Sequence, residues 1–198
     1  MTAPRCGAPP ARRGIDKHMH DAYTDAVTTN LRTANLIGAL AVAVTDQMAP
    51  AVDSATGRGA MAPAALVTLH HSPDLWIGEL ARVLGLTHPG TVRLVDRLEA
   101  DGLVVRRAAS DGRAVALRLS PAGQQVARRV LAARAEVLER ALSGFTAAET
   151  RQLTSFVARI LGALTTDVDV ADHMCRLCDE RACPAATCPV EQAIIDER

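Results

Sequence analysis

Residues 76–123 read WIGELARVLGLTHPGTVRLVDRLEADGLVVRRAASDGRAVALRLSPAG, and the fold turns on this stretch. Ile77, Leu80, Ala81 and Leu84 recur on one face and predict a helix over 77–84. Gly85 then supplies the tight turn that joins two helices at a steep angle. Thr87 is a good N-cap for the next helix, and Pro89 suits a first turn whose N–H groups lack partners. In that second helix Val92, Val95 and Leu98 are expected to face the core. Arg93 and Arg97, four residues apart, are expected to project from the other side with Gly90 and Thr91 close by. Leu103, Val105 and Arg107 start a strand, Ser110–Asp111–Gly112 signals a turn, and Val115, Leu117 and Leu119 alternate along a second strand. The pattern is helix, turn, helix and an arginine-bearing wing.

A small, polar, arginine-bearing helix face suits the major groove of DNA. Gly and Thr permit close approach there, and Arg reaches phosphate or guanine. A solvated helix face would carry the same two arginines, so the wing that follows is what favours DNA. Charge placement agrees. The formal net charge is zero, yet residues 103–118 hold Arg106, Arg107, Arg113 and Arg118 against Asp111, while 167–198 hold eight acids against three arginines. Basic charge is gathered where DNA would lie, and acid is sent elsewhere. With 48% hydrophobic and 22% charged residues the chain reads as a soluble domain, and 2% aromatic residues leave its core to Leu, Val, Ile and Ala. No uncharged apolar run of membrane-spanning length appears, and the N-terminal arginines lack the apolar block of a signal peptide. A cytoplasmic location without membrane attachment is expected, with cysteines present as thiols or metal ligands.

On the N-terminal side, residues 1–17 are rich in Pro, Ala, Gly and Arg and read as a disordered arm in which Cys6 is an isolated thiol. A long helix from His20 to about Met48 carries Val27, Leu31, Ala34, Leu36, Ile37, Leu40, Ala41 and Val44, apolar on more than one side. Such a helix is buried against several neighbours or against a partner subunit. Pro50 and Gly57–Arg58–Gly59 are expected to end it. A second helix follows at about Pro63–His71, and its His70–His71 pair reads as ordinary helix-end residues. On the C-terminal side Ser120 caps a helix over 121–142 that starts with Pro121. Thr146 and Glu149 form a capping box for another, whose apolar face holds Leu153, Phe156, Val157, Ile160, Leu161 and Leu164. The fold class is mainly α with a small β-wing.

Asp111-Gly112-Arg113 leading into Leu119-Ser120-Pro121-Ala122-Gly123, behind a helix-turn-helix, resembles the MarR family of bacterial transcriptional regulators. The family pattern is D-x-R, a strand, then L-T-x-x-G, with Ser120 here in place of Thr. Thr91 to Glu99 resembles the family's recognition helix, and Gly102-Leu103-Val104 the start of its wing. The resemblance covers roughly residues 20–166. It implies a domain over 18–168, with a winged helix-turn-helix at 60–120 embedded in dimerisation helices at 20–50 and 121–166. It implies a homodimer, most often a repressor in this family, whose activity answers to a small-molecule effector or to the metal or redox state of the C-terminal cysteines. Its recognition helices would enter successive major grooves of a pseudo-palindrome in double-stranded DNA. The residues it places at DNA are Thr87, His88, Gly90, Thr91, Arg93, Arg97, Arg107, Asp111 and Arg113. Arg113 would reach the minor groove from the wing tip, with Asp111 orienting it.

The family pattern does not cover the acidic segment 169–198. There Cys175, Cys178, Cys183 and Cys188 are spaced C-x2-C-x4-C-x4-C, the spacing of a zinc knuckle with Cys in place of His. Four thiolates within 14 residues can enclose one tetrahedral ion. Zinc is the first candidate. An iron–sulfur cluster is the alternative, because Cys183–Pro184 and Cys188–Pro189 resemble the Cys-Pro that ends ferredoxin-type runs. His173 could replace one ligand, and Arg176 and Arg181 would offset the charge. Four thiolates close a metal site, and no Ser-His or Cys-His arrangement stands out elsewhere, so an enzyme is not expected. The competing reading is a metal-binding interaction protein that uses its winged helix for protein contacts.

Overall fold

In the computed structural model residues 17–59, 61–108 and 115–196 are described. The chain divides into two compact units, Met1–Ala43 and Val44–Arg198. The described residues of the first unit are helical, forming the N-terminal part of α1 (Lys17–Thr56). Leu31, Leu36, Ile37, Leu40 and Val42 are exposed along it. Of the arm expected at 1–17, Lys17 belongs to α1 and the rest, including Cys6, lies outside the described residues.

The helix does not stop near Met48. Pro50 lies inside it, and helical structure continues to Thr56. A proline there removes one backbone hydrogen bond, but packing beyond it holds the helix together. Val52 is buried with Val67, Val130 and Leu131, and Met48 and Ala55 flank that cluster. Asn30–Thr56 is long and apolar enough to cross a membrane by length and composition. Its last turns are occupied instead in this core contact.

The second unit continues with α2 (Met61–His71), β1 (Leu75–Trp76), α3 (Ile77–Leu84) and α4 (His88–Ala100). The wing strands β2 (Val104–Ala108) and β3 (Val115–Leu119) come next, followed by α5 (Pro121–Leu142) and α6 (Ala147–Leu164). The chain then forms α7 (Val168–Cys175), a 3-10 turn at Ala185–Thr187, and α8 (Pro189–Asp196). The sheet is antiparallel in the order β1-β3-β2, with Leu75 opposite Leu117 and Val104 opposite Leu119. The chain is thus mainly helical with a small sheet, the winged-helix architecture.

Leu66, Leu69, Leu80, Leu98 and Leu117 are at most 1% exposed and knit α2, α3, α4 and the wing into one core. Burying each is worth about 1.5–3 kcal/mol. The strand pattern shifts from expectation. Val104 takes the inward place expected of Val105, and Ala116 joins Leu117 and Leu119 inside while Val115 stays exposed. The reason is β1, which pairs with β3 at Leu117 and Ala116 and covers it on its free edge. Asp74, which leads into β1 at φ 68°, donates its N–H to Leu117 O and ion-pairs with Arg118. The Arg118 guanidinium holds the Asp74 carboxyl below its ordinary range.

The acidic segment folds back onto the winged helix. Leu177 packs against both core clusters. Ala171, Cys188 and Val190 form a third cluster that takes in Leu161 of α6. Neither α7 nor α8 was legible in the sequence as a helix.

Candidate functional site

The helix-turn-helix is built by local rules. Gly85, at φ 64°, ends α3, with its own N–H on Arg82 O and that of Leu86 on Ala81 O, the paired bonds of a Schellman close. The Thr87 hydroxyl then accepts the Gly90 N–H at 3.3 Å to start α4. The inward face of α4 is Thr91, Leu94, Val95 and Leu98, an i, i+3, i+4, i+7 stripe. Val95 and Leu98 face the core as expected, whereas Val92 is only half-buried and Thr91 and Leu94 fill the rest of the inward face. Thr91 is the resulting correction to the expected DNA contacts. It is fully buried, and its hydroxyl donates to Thr87 O at 3.1 Å. Its role is to fasten the helix start to the core.

Outward, Thr87, His88, Pro89, Arg93 and Arg97 are exposed, and Gly90 is half-buried beneath the Thr87 cap. Among the described residues neither Arg93 nor Arg97 takes part in an ion pair. The nearby acids are occupied: Arg106 of β2 binds Asp96 at 2.6 Å and also Glu99. Local charge is therefore smaller than a count along the sequence suggests. Arg106 and Arg118 are both neutralised by carboxylates, whereas Arg107 projects into solvent from β2. The sequence offered no sign of these pairings, because Arg106 meets Asp96 across ten positions and Arg118 meets Asp74 across 44. Asp111 and Arg113 lie outside the described residues.

The four cysteines of the acidic segment line a single cavity of about 380 Å³. Cys188 is buried and the other three are half-buried, all as thiols. The four thiols lie close enough to act on one another's ionisation, Cys175 most strongly with Cys178 and Cys183 with Cys188. The hydrogen bond from Cys175, helped by the charge of Arg134, pulls the Cys178 thiol down to about 6 against the effect of burial. The same bond, with burial, pushes Cys175 upward. Burial and then Cys188 push Cys183 up to about 11. Arg134, on α5, was not among the expected cations. Of those expected, Arg181 is engaged by Asp179, and Arg176 lines the cavity. His173 is not directed at the thiols: its Nδ1 meets Val83 O at 3.0 Å, and its ring lies against Gly85. Among the described residues no three His, Cys, Asp or Glu are arranged to hold one metal ion.

Residues 57–114 match the family model MarR_2, described as MarR family. The chain also resembles solved structures. A MarR family protein from Bacillus stearothermophilus is 24% identical with a TM-score of 0.63, over 70% of this chain and 97% of that one. MepR, a transcription regulator of the Staphylococcus aureus multidrug efflux pump MepA, is 16% identical with a TM-score of 0.58, over 66% and 97%. A MarR family transcriptional regulator from Silicibacter pomeroyi is 25% identical with a TM-score of 0.51, over 63% and 87%. No curated protein matches the sequence.

Proposed function

We propose that this chain, with its MarR-family winged helix-turn-helix, is a DNA-binding transcriptional regulator and not an enzyme. The carrying observation is the outward face of α4. Arg93 and Arg97 stand exposed and unpaired among the described residues, while the acids beside them are held by Arg106. Such a helix presents uncompensated positive charge and hydrogen-bond donors to a groove. Thr87, His88 and Gly90 at its start, Arg107 on β2, and the wing-tip Asp111 and Arg113 complete the proposed DNA surface.

The regulator works as a homodimer, and the exposed apolar side chains of α6 and, separately, of α1 are the surfaces that support this. Two recognition helices on a two-fold axis then read a pseudo-palindromic duplex, and the usual outcome is repression relieved by a small-molecule effector. A cytoplasmic location follows from that role.

The test uses a duplex selected from random DNA by the intact protein. Arg93→Ala and Arg97→Ala are each expected to lower affinity about tenfold or more, since a good base contact is worth about 1–3 kcal/mol. A side chain on phosphate should also flatten the dependence of log affinity on log salt by about one unit. Fluorescence anisotropy over a salt series reads both effects, with circular dichroism confirming the fold. Wild-type affinity in both variants would overturn the assignment and favour a winged helix used for protein contacts.

A further inference from the structure

The cysteines come from the end of α7, the turn beyond it, a loop, and the start of α8, yet all four face one cavity. Backbone hydrogen bonds place them: Cys178 N–H donates to Cys175 O, Cys183 N–H to Asp179 O, and Cys188 N–H to Ala185 O. The same cavity is lined by Leu75 of β1 and by Arg82 and Val83 of α3, the first helix of the helix-turn-helix. Thr68 of α2 also lines the cavity, and its hydroxyl oxygen is buried with no hydrogen-bond partner among the described residues.

We propose that this cavity is the seat of an iron–sulfur cluster ligated by Cys175, Cys178, Cys183 and Cys188. A zinc ion with bonds of about 2.3 Å draws its four thiolate sulfurs into one tight tetrahedron and leaves no room between them. The described residues hold no such single-ion arrangement. All four thiols line one space of about 380 Å³, which suits a centre of several irons and sulfides. Each Fe–S(Cys) bond forms with loss of the thiol proton, so four protons leave as the cluster seats. Arg134, whose charge reaches Cys178 and Cys183, and Arg176 on the cavity wall offset the negative charge that results. The unpartnered Thr68 hydroxyl is a ready donor to a cluster or thiolate sulfur, a contact of the kind that tunes potential. Pro184 and Pro189 directly follow two of the ligands, as in ferredoxin-type sequences.

The site is also placed to act on the helix-turn-helix. Arg82 of α3 is tied to Asp169 at 2.9 Å and Asp172 at 2.7 Å, and His173 holds Val83 O. Seating or losing the cluster therefore shifts the segment that braces α3. This second step rests on the DNA-binding reading above; the cluster itself does not.

The experiment is anaerobic purification of the full chain, with iron, acid-labile sulfide and zinc measured beside the visible spectrum. Brown protein with iron and sulfide in equal amounts is expected. Cys178→Ser and Cys188→Ser should each lose most of both, and Cys6→Ser should keep both. Because a serine variant could fail to fold, metal-free wild type is also treated with ferrous and ferric iron in equal amounts plus sulfide, and separately with zinc alone. Colourless protein with one zinc per chain and no sulfide would overturn the proposal. So would wild type that takes up neither iron nor sulfide, or folded serine variants that retain the wild-type spectrum. Equal duplex affinity of cluster-loaded and cluster-free protein would overturn the coupling alone. Absence of DNA binding in both forms would overturn the DNA-binding reading and leave the iron and sulfide result standing.

Discussion

A Gly123→Ala variant is expected to be about 3 kcal/mol less stable than wild type, a loss on the order of 10 °C in Tm for a domain of this size. A Cβ on Gly123 would lie 2.0 Å from Leu103 O and 3.0 Å from Leu103 C. Neither atom belongs to a flexible side chain. Leu103 O already accepts the Ser120 N–H at 2.9 Å, and the Ser120 hydroxyl both donates to Gly102 O at 2.6 Å and accepts the Gly123 N–H at 3.0 Å. The start of α5 is thus laced to the segment leaving α4, and an added methyl must pry the two apart. Alanine's higher helix propensity returns only about 1 kcal/mol, so the clash wins. Gly144→Ala is the control, because nothing lies within 4 Å of its added Cβ. Urea or thermal unfolding checks the pair. If Gly123→Ala unfolds within about 0.5 kcal/mol of wild type, the crossing of α5 over the wing is wrong; surface changes usually fall inside that range.

The same crossing shows what a sequence can reveal. The Ser120 cap, Pro121 and the Thr146–Glu149 capping box mark the starts of α5 and α6, because a cap is a bond between residues three apart. The α3–turn–α4 unit was equally legible, since Gly85 and Thr87 act within their own turns. Readings failed where a distant partner decides. The continuation of α1 through Pro50 rests on Val52 meeting Val67 and Val130. The two-residue β1 exists only because β3 pairs with it. Thr91 failed for a local reason instead: its hydroxyl donates to Thr87 O, four residues back, and so can take a core position.

The proposed sites divide in the same way. Arg93 and Arg97 could be placed on the outward face from periodicity alone, whereas the neutralisation of Arg106 by Asp96 could not. Cysteine spacing pointed to a metal, but it said nothing of the cavity that the sulfurs line. The docking of the segment on α3 depends on Arg82 meeting Asp169 and Asp172 and on His173 meeting Val83 O, pairings that carry no local signal. Arg134 was invisible for the same reason: it lies on α5 and meets the cysteines only through the fold.

A Phe156→Glu/Ile160→Glu double variant is expected to convert the proposed dimer to monomer at about 10 μM and to weaken duplex binding about 100-fold or more. Helix α6 has apolar groups on two sides. One side, at Leu161, is covered by the cluster of Ala171, Cys188 and Val190. The other leaves Phe156 50%, Ile160 38% and Leu164 59% exposed, and apolar area withdrawn from water is worth about 25 cal/mol per Å². A second copy can cover this stripe through a self-complementary contact. Two carboxylates one helical turn apart on each protomer would then face one another across the two-fold axis, where desolvation and like-charge repulsion oppose association. Duplex affinity falls with the dimer because the second half-site is no longer engaged at the high effective concentration that a joined partner provides. The variant's own fold should survive, since the substituted side chains belong to no buried cluster of the chain. Light scattering after size exclusion, with anisotropy on the selected duplex, separates the outcomes. A variant that remains dimeric at wild-type affinity would remove α6 from the interface and leave α1 as the element to examine.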